Sequence, residues 1–399
     1  MKLWQKKYDL NAAVEKFTVG NDYLLDQELV PFDCQASRAH ARMLNKIGIL
    51  SDSETADLLS GIDQILDLHA KGKFKIRPED EDCHTAIENF LTQKIGIAGE
   101  KIHTGRSRND QVLTALRLYC KTQLNEISSA VQTTIATITE FIQKYGEVKM
   151  PGFTHTRKAM PSSVAMWAGA LRDALADDLD LLSCATKLID QNPLGTGAGF
   201  GVPLALDRQM TTDELHFARI QENPIYAQNS RGKFEGFALS VMSQIMYDLN
   251  KVASDLILFT MPEFNYFTLP DEFLTGSSIM PHKKNPDVLE LLRAKYHEVF
   301  TYEMQVRNTG VNLISGYHRD LQLTKEAIIR AFKTTLTSVQ ITTVLFENLS
   351  VNRKNCRKAM TAELFATDKV YQLVKSGVPF REAYRQISQE YEDKNEKQC

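Results

Sequence analysis

Apolar residues recur at three- and four-residue steps along several long stretches of the chain. From Gln111 to Tyr145 there is neither Gly nor Pro. The apolar positions in this stretch are Leu116, Cys120, Leu124, Ile127, Val131, Ile135, Ile138, Phe141 or Ile142, and Tyr145. This spacing predicts one amphipathic helix, which at 1.5 Å per residue would be roughly 50 Å long. A helix of that length is typical of an extended bundle.

The same periodicity predicts four more long helices, at about residues 162–190, 234–259, 286–308 and 323–348. Shorter helices are predicted before residue 105, for example over residues 35–47 and 52–69, each followed closely by a glycine. No stretch alternates apolar and polar residues between turn signals, and no glycine-rich phosphate motif follows a strand. The pattern therefore predicts an all-α protein.

Composition narrows the functional classes. The chain has 399 residues, of which 43% are hydrophobic, so we expect two or three domains. The start, Met1-Lys2-Leu3-Trp4-Gln5, lacks the apolar core of a secretory signal, which favours a cytoplasmic location. A net charge of −3 provides no electrostatic footprint for nucleic acid. The six cysteines lack metal-ligand spacing, so they are interpreted as reduced packing residues.

The densest chemistry lies between Thr275 and Glu290. Gly276-Ser277-Ser278 can form a loop that presents hydroxyls and backbone N–H groups, and Lys283 and Asn285 follow closely. Removing a proton next to a carboxylate builds charge on the carboxylate oxygens, and preorganised cations and donors stabilise that charge. A serine can be the base only if it is activated. This stretch therefore indicates proton abstraction alpha to a carboxylate.

A second dense run extends from His103 to Asp110. Two arginines, Arg106 and Arg108, lie beside Ser107 and Asn109 just before the longest predicted helix. Guanidinium groups and N–H donors at a helix start bind carboxylates well. An ordinary helix cap would need only one of these side chains. The run is therefore interpreted as a carboxylate-binding corner.

These two runs resemble known signatures. The stretch from Gly276 to Glu290 is similar to the signature of the fumarase/aspartase superfamily, whose members release fumarate from a succinyl group. His103 to Asp110 resembles the motif of the argininosuccinate lyase family within it. The resemblance implies cleavage of argininosuccinate to fumarate and arginine, in arginine biosynthesis, with no metal and no organic cofactor. It also implies a homotetramer whose active sites are shared between chains.

The resemblance also implies roles for particular residues. Ser277 and His155 would form the acid–base pair, with Ser277 favoured as the base, although the opposite assignment stays open. Lys283 and Glu290 would complete the catalytic set, with Glu290 holding His155. The residues that would bind the substrate are Ser37, His84, Ser107, Arg108, Asn109, Thr154, Asn285, Tyr317, Gln322 and Lys325.

The chain departs from the family pattern in three places. Arg157 and Lys158 follow the Thr154-His155 pair where the family carries a neutral glutamine, and Gly232 stands in place of a family arginine. The C-terminal helical segment is shorter than usual. We therefore expect an N-terminal helical domain at 1–105, a central long-helix bundle at 106–350 and a shortened C-terminal helical domain at 351–399.

Because of these departures, two substrates remain as alternatives: plain argininosuccinate and an N-acylated form such as N-succinyl argininosuccinate. The N-succinyl form would bring an extra carboxylate to the added cations. Another fumarate-releasing lyase of the superfamily, such as adenylosuccinate lyase, is a further alternative, which the run from His103 to Asp110 disfavours. A non-catalytic structural protein on the same scaffold is the remaining alternative.

Overall fold

The fold is all-α, as the apolar periodicity predicts. The computed structural model describes residues 11–396, and side chains up to residue 392. The α-helices are α1 (Ala12–Val19), α2 (Asp22–Leu25), α3 (Val30–Lys46), α4 (Asp52–Ala70), α5 (Cys83–Ile95), α6 (Ile97–Lys101), α7 (Arg108–Tyr145), α8 (Val164–Ile189), α9 (Arg208–Glu214), α10 (Pro224–Asn229), α11 (Lys233–Phe259), α12 (Asp287–Thr309), α13 (Thr324–Asn348), α14 (Arg353–Lys358), α15 (Ala366–Lys375) and α16 (Phe380–Glu396).

The five long helices are α7, α8, α11, α12 and α13, and each lies within a few residues of its predicted position. The longest, α7, has 38 residues and is uninterrupted because it contains neither Gly nor Pro. The shorter helix α4 also matches its predicted span, whereas α3 begins at Val30, five residues before its predicted start. A capping box at Ser51 and Glu54 starts α4, which the sequence signals with Ser followed three residues later by Glu.

The strands are few and short. They are β1 (Lys149–Thr154), β2 (Arg157–Ser163), β3 (Gln191–Asn192), β4 (Arg219–Ile220), β5 (Phe267–Thr268), β6 (Thr275–Gly276), β7 (Lys284–Asn285) and β8 (Ser350–Val351). They pair as β1–β2, β5–β8 and β6–β7, all antiparallel, and as β3–β4, which is parallel. The apolar–polar pattern predicts no strand around residue 155, whereas β1 and β2 form a hairpin there.

The chain divides into two compact units, each built from three segments. Unit 1 contains residues 1–128, 180–244 and 297–336, and unit 2 contains residues 129–179, 245–296 and 337–399. Each of the five long helices contributes residues to both units. The division into domains at residues 105/106 and 350/351 stays a prediction.

Each unit has its own buried apolar cluster. In unit 1, Phe32, Tyr119 and Phe332 meet edge to face, with ring centroids 5.6 and 6.1 Å apart. In unit 2, the rings of Trp167 and Phe267 lie 4.7 Å apart within a larger group of aromatic side chains. Buried aromatic pairs of this kind combine a large apolar contact area with a favourable ring geometry. They hold together segments that are distant in sequence.

Two expectations from composition concern the whole chain. Cys34, Cys83, Cys120 and Cys356 are buried free thiols and Cys184 is an exposed one, whereas Cys399 lies outside the described residues. The first residues, which favoured a cytoplasmic location, also lie outside them. Within residues 11–396, no helix has both the length and the apolar character needed to cross a membrane.

Unit 2 contains a buried pair of acids on two long helices. Asp178 of α8 is 3% exposed, and its carboxyl lies against that of Asp248 on α11. Burial, together with the neighbouring Asp248 and Asp177, raises the pKa of Asp178 to about 7. Two carboxyl groups can share a hydrogen bond only when one of them carries a proton. In the folded chain Asp178 therefore keeps its proton at pH values at which the unfolded chain has lost it.

This pair predicts how stability depends on pH. Because the pKa of Asp178 is raised from 3.8, its contribution is fully present below about pH 4 and is lost as the pH rises towards about 7. We expect Asp178→Asn to raise the Tm by about 2–4 °C at pH 8 and by less at pH 4. Thermal unfolding at both pH values measures this, with Asp180→Asn, an exposed change on the same helix, as the control. An equal gain at both pH values would contradict it.

Candidate active site

A charged cleft lies within unit 1. Four cationic and three acidic side chains line it, together with an amide pair, a tyrosine and two valines. The lining residues are Val19, Asp22, Glu81, Asp82, Arg108, Asn109, Val112, Arg231, Tyr317, Arg319, Gln322 and Lys325. These side chains come from helix starts, a helix turn and a long connection. Residues as far apart in sequence as Val19 and Lys325 therefore meet at one place. Such a mixture suits a small zwitterionic ligand.

Arg108 forms one wall of the cleft at the start of α7. Its Nη1 lies 3.1 Å from Glu81 Oε2, its Nε lies 3.1 Å from Asp82 Oδ2, and its Nη2 donates to Thr85 Oγ1 at 2.9 Å. The two carboxylates therefore occupy two of its five N–H donors and Thr85 a third. Burial lowers the pKa of Arg108, but Asp82 and Glu81 raise it by more. The protein itself thus supplies most of the partners of this guanidinium.

Lys325 forms the floor of the cleft at the start of α13. Its Nζ lies 2.5 Å from Asp26 Oδ1 and 3.3 Å from Asp22 Oδ2, and the residue is 5% exposed. Burial lowers the pKa of Lys325, but the two carboxylates raise it by more and keep the ammonium charged. Burial also raises the pKa of Asp22 to about 6, against the opposing effect of Lys325. Lys325 is therefore held as a fixed cation.

Five of the predicted substrate-binding residues come together here: Arg108, Asn109, Tyr317, Gln322 and Lys325. Two of them contribute amide groups to the lining. Gln322 Nε2 donates to the carbonyl oxygen of Thr18 at 3.0 Å. The amide oxygen of Gln322 accepts no hydrogen bond from the described part of the chain. Their roles towards a substrate stay predictions.

Three other predicted residues of unit 1 do not line the cleft. The Ser37 hydroxyl is buried and accepts from Arg106 Nη1 at 2.9 Å. His84 is 2% exposed, with Nδ1 3.1 Å from Asp33 Oδ1. Burial lowers the pKa of this imidazole, but Asp33, Asp82 and Asp26 together raise it by more. Ser107 caps the start of α7 by accepting from the Asn109 N–H. Their predicted binding roles stay untested.

Arg231 is a cleft residue that the sequence analysis missed. It lies in the turn between α10 and α11, and its guanidinium carbon is 4.9 Å from the centre of the Tyr317 ring. The next residue, Gly232, has φ +76° and would bring a Cβ within 3.5 Å of Gly310. Only glycine adopts that conformation readily. Although position 232 holds glycine, the preceding residue thus supplies a guanidinium to the cleft.

The serine loop lies in unit 2 between β6 and β7. Ser277 is half-buried, and its hydroxyl accepts from the Met280 backbone N–H at 3.1 Å. Lys283 and Glu290 are exposed, and Asn285 is half-buried on β7. Thr275 and Asp287 hydrogen-bond across the base of the loop at 2.5 Å. The loop is thus anchored at its base, and the Lys283 side chain is exposed to solvent.

Thr154 and His155 lie at the tip of the β1–β2 hairpin. His155 and Thr156 occupy its two central positions with φ +51° and +57°. A two-residue hairpin of this kind favours Gly or Asn, because a positive φ costs other residues about 1–2 kcal/mol each. His155 is therefore held, exposed, in a strained backbone that its sequence does not favour. Strain of this sort is characteristic of functional positions.

Of the two added cations after His155, Lys158 has a structural role. Its Nζ donates to the carbonyl oxygen of Ala359 at 2.9 Å and lies 3.3 Å from Thr361 Oγ1. Arg157 begins β2 and is exposed. Lys158 is therefore committed to the end of α14, and only Arg157 stays available for the predicted substrate contact.

The predicted residues thus fall into two sets. Thr154, His155, Ser277, Lys283, Asn285 and Glu290 belong to unit 2, and the other predicted site residues belong to unit 1. Over residues 11–396, no recorded hydrogen bond or ion pair joins His155 to Ser277 or Glu290. Within the described part of one protomer, the predicted catalytic pair is therefore not joined by a hydrogen bond.

One group of buried side chains has metal-ligand chemistry. Asp26, Cys83 and His84 offer ligand atoms within 4.8 Å of one another. However, Asp26 Oδ1 is paired with Lys325, and its Oδ2 accepts from the Cys83 N–H at 3.0 Å. Burial and nearby acids raise the pKa of the Cys83 thiol well above its usual range. An ammonium group and a protonated thiol oppose metal binding at this place.

Comparison with known proteins defines the class first. A family model described as "Lyase" matches residues 9–301. An EDDS lyase solved in complex with formate has a TM-score of 0.84 and 25% identity, over 98% of this chain and 78% of that chain. A class II fumarase from Schistosoma mansoni, with TM-score 0.78 and 15% identity over 94% and 91% of the two chains, shares the fold. The chain is a lyase of this all-α superfamily.

Curated relatives then narrow the family. Argininosuccinate lyase from Thermotoga neapolitana is 52% identical over 98% of both chains. The enzyme of the same name from Xanthomonas campestris pv. campestris is 44% identical over 96% of this chain and 89% of its own. The one from Bacteroides fragilis is 40% identical over 98% and 88%. The chain therefore belongs to the argininosuccinate lyase family.

The contacts of Arg108 predict that this residue stabilises the fold. Arg108→Ala leaves Glu81 and Asp82, which are 5% and 8% exposed as side chains, without their guanidinium partner. Breaking such a pair from one side typically costs about 3–5 kcal/mol. We expect a loss on the order of 3 kcal/mol in the free energy of unfolding, measured in urea. Arg319→Ala, which removes an exposed cleft arginine, is the control, and an equal loss in both variants would contradict the prediction.

Proposed function

We propose that this chain cleaves argininosuccinate to fumarate and arginine by abstracting a proton alpha to a carboxylate and breaking the C–N bond. The observation that carries the proposal is the 52% identity to an argininosuccinate lyase over 98% of both chains. The cleft supports it, because argininosuccinate carries carboxylates, an ammonium and a guanidinium. Cationic and acidic side chains line the same cleft. The reaction needs no metal ion or organic cofactor in this proposal.

The proposed chemistry begins at the serine loop. Ser277 removes the Cβ proton, which gives an aci-carboxylate whose negative charge Lys283 and Asn285 stabilise. His155 protonates the departing nitrogen, and Glu290 orients the imidazole. The Ser277 hydroxyl becomes a base only when its pKa falls, which Lys283 and exclusion of water by the loop would provide. The exposed position of Lys283 in one protomer is consistent with a loop that closes on the substrate.

The proposal includes a homotetramer with shared active sites. In one protomer His155 and Glu290 are exposed and make no recorded contact with each other, which supports a site completed by other chains. Large apolar side chains are also exposed on the long helices: Met166 is 67% exposed, Leu291 62% and Met304 40%. Exposed apolar residues concentrated on bundle helices suit subunit contacts. A cytoplasmic location fits an enzyme of amino-acid biosynthesis.

The first test is turnover. Wild-type protein should release fumarate from argininosuccinate, while Ser277→Ala and His155→Asn should each reduce kcat by at least about 100-fold, because each removes a proton-transfer group. Fumarate absorbance measures the rate, and circular dichroism confirms that the helices persist. Ser278→Ala, one residue along the same loop, is the matched control and should retain activity. Near-wild-type rates in either variant would refute the site assignment.

Mixing the two inactive variants tests the shared site. If Ser277 and His155 of one site come from different chains, some mixed assemblies contain a site without either lesion. We expect partial recovery of activity after Ser277→Ala and His155→Asn proteins are mixed and reassembled, with at most about a quarter of sites intact for random mixing. Each variant reassembled alone is the control. A fully active monomer in size measurements would contradict the proposal.

A further inference from the structure

The cations of the cleft differ in how the protein itself uses them. Arg108 is paired with Glu81 and Asp82, and Lys325 is paired with Asp26 and Asp22. These carboxylates neutralise their partners before any ligand arrives. A substrate carboxylate therefore competes with fixed acids at both positions. A cation without such an acid would be the stronger ligand for it.

Arg231 comes close to this description: Asp22 and Glu235 act on its charge and Tyr317 hydrogen-bonds to its side chain, but neither acid forms an ion pair with it among the described residues. It is 7% exposed, forms no recorded ion pair among the described residues, and its Nη1 has no hydrogen-bond partner there. Glu235, in the first turn of the following helix α11, accepts from the Gly232 N–H at 2.7 Å. A buried guanidinium stays charged and is costly to leave unpaired. The Nη1 group of Arg231 is therefore left for a partner that the described part of the protomer does not supply.

Arg117 provides an internal comparison. It is 1% exposed, and its guanidinium carbon lies 5.1 Å from the centre of the Phe234 ring, much as Arg231 stacks on Tyr317. However, Arg117 donates to the Gln191 carbonyl oxygen at 2.9 Å and to Ser230 Oγ at 2.7 Å, and it does not line the cleft. The two arginines share burial and stacking, and each has one buried donor without a partner, Nε on Arg117 and Nη1 on Arg231. They differ in that only Arg231 lines the cleft. That difference points to a ligand for Arg231.

We infer that Arg231 is a specificity-determining residue that binds a carboxylate of the substrate within the cleft. This inference rests on the proposed function for the identity of the substrate. Tyr317 would hold the guanidinium plane, and Gly232 would provide the turn that directs the side chain towards the cleft. Both the succinyl part and the arginine part of argininosuccinate carry carboxylates, so the two products serve as separate probes.

The test compares Arg231→Gln and Arg231→Lys with Arg117→Lys. Loss of a guanidinium–carboxylate contact should raise KM for argininosuccinate about 10–100-fold in Arg231→Gln while kcat changes little. Arg231→Lys keeps the positive charge, so its KM should lie between those of the wild type and Arg231→Gln. It also tests the inference if Arg231→Gln does not fold. Added guanidinium at low concentration should lower KM in Arg231→Gln only. Arg117→Lys should lower the Tm without this change in KM.

Calorimetry with fumarate and with arginine separates the two carboxylate sources. The product whose affinity falls in Arg231→Gln carries the carboxylate that Arg231 binds. Turnover by the wild type with unchanged KM and product affinities in both folded Arg231 variants would overturn the inference alone. Absence of wild-type turnover, together with fumarate binding that depends on Arg231, would overturn the proposed function alone. A wild type that neither turns over argininosuccinate nor binds either product would overturn both.

Discussion

The cleft of unit 1 depends on one buried ion pair, between Lys325 and Asp26. These residues are 299 positions apart in sequence, and the second oxygen of Asp26 accepts from the backbone N–H of Cys83. The pair thus joins the starts of α5 and α13 to the segment before α3. Each of these buried charges would cost several kcal/mol if it were unpaired. Separating one of the three segments from the other two is therefore unfavourable. Asp22, Glu81, Asp82 and Gln322 all lie within four residues of these anchors.

This constraint explains why the cleft is charged even without a ligand. Asp22 shares Lys325 with Asp26, and the rise of its pKa to about 6 reflects burial beside a cation that is already paired. Arg108 is balanced in the same way by two acids. Only part of the positive charge is therefore used for folding, and the buried Arg231 and the exposed Arg319 carry the rest. A site of this design recognises anions through donors that the fold has already positioned, so that binding requires little rearrangement.

The sequence predicted the helices well because helix formation is a local property. The periodicity and the absence of Gly and Pro between 111 and 145 determine α7 almost to the residue. The hairpin at His155 was missed, because neither of its central residues favours a positive φ. Arg231 was missed because the family motif places its arginine at position 232 of this sequence, and the residue before that position was not considered. Which donors of Arg108 are free, and whether His84 faces a cleft, depend on long-range contacts that no local pattern encodes.

The two sets of predicted residues also differ in rigidity. The cleft residues stand at helix starts and are held by buried ion pairs, whereas Ser277 and His155 stand on exposed turns with few side-chain contacts. A binding site gains from fixed donors, because an ordered donor costs no further entropy when the ligand arrives. A proton-transfer pair must instead approach the substrate after it binds and exclude water as it does so. If the proposed roles hold, recognition by the anchored set and proton transfer by the set on exposed turns would suit a reaction that forms a short-lived dianion.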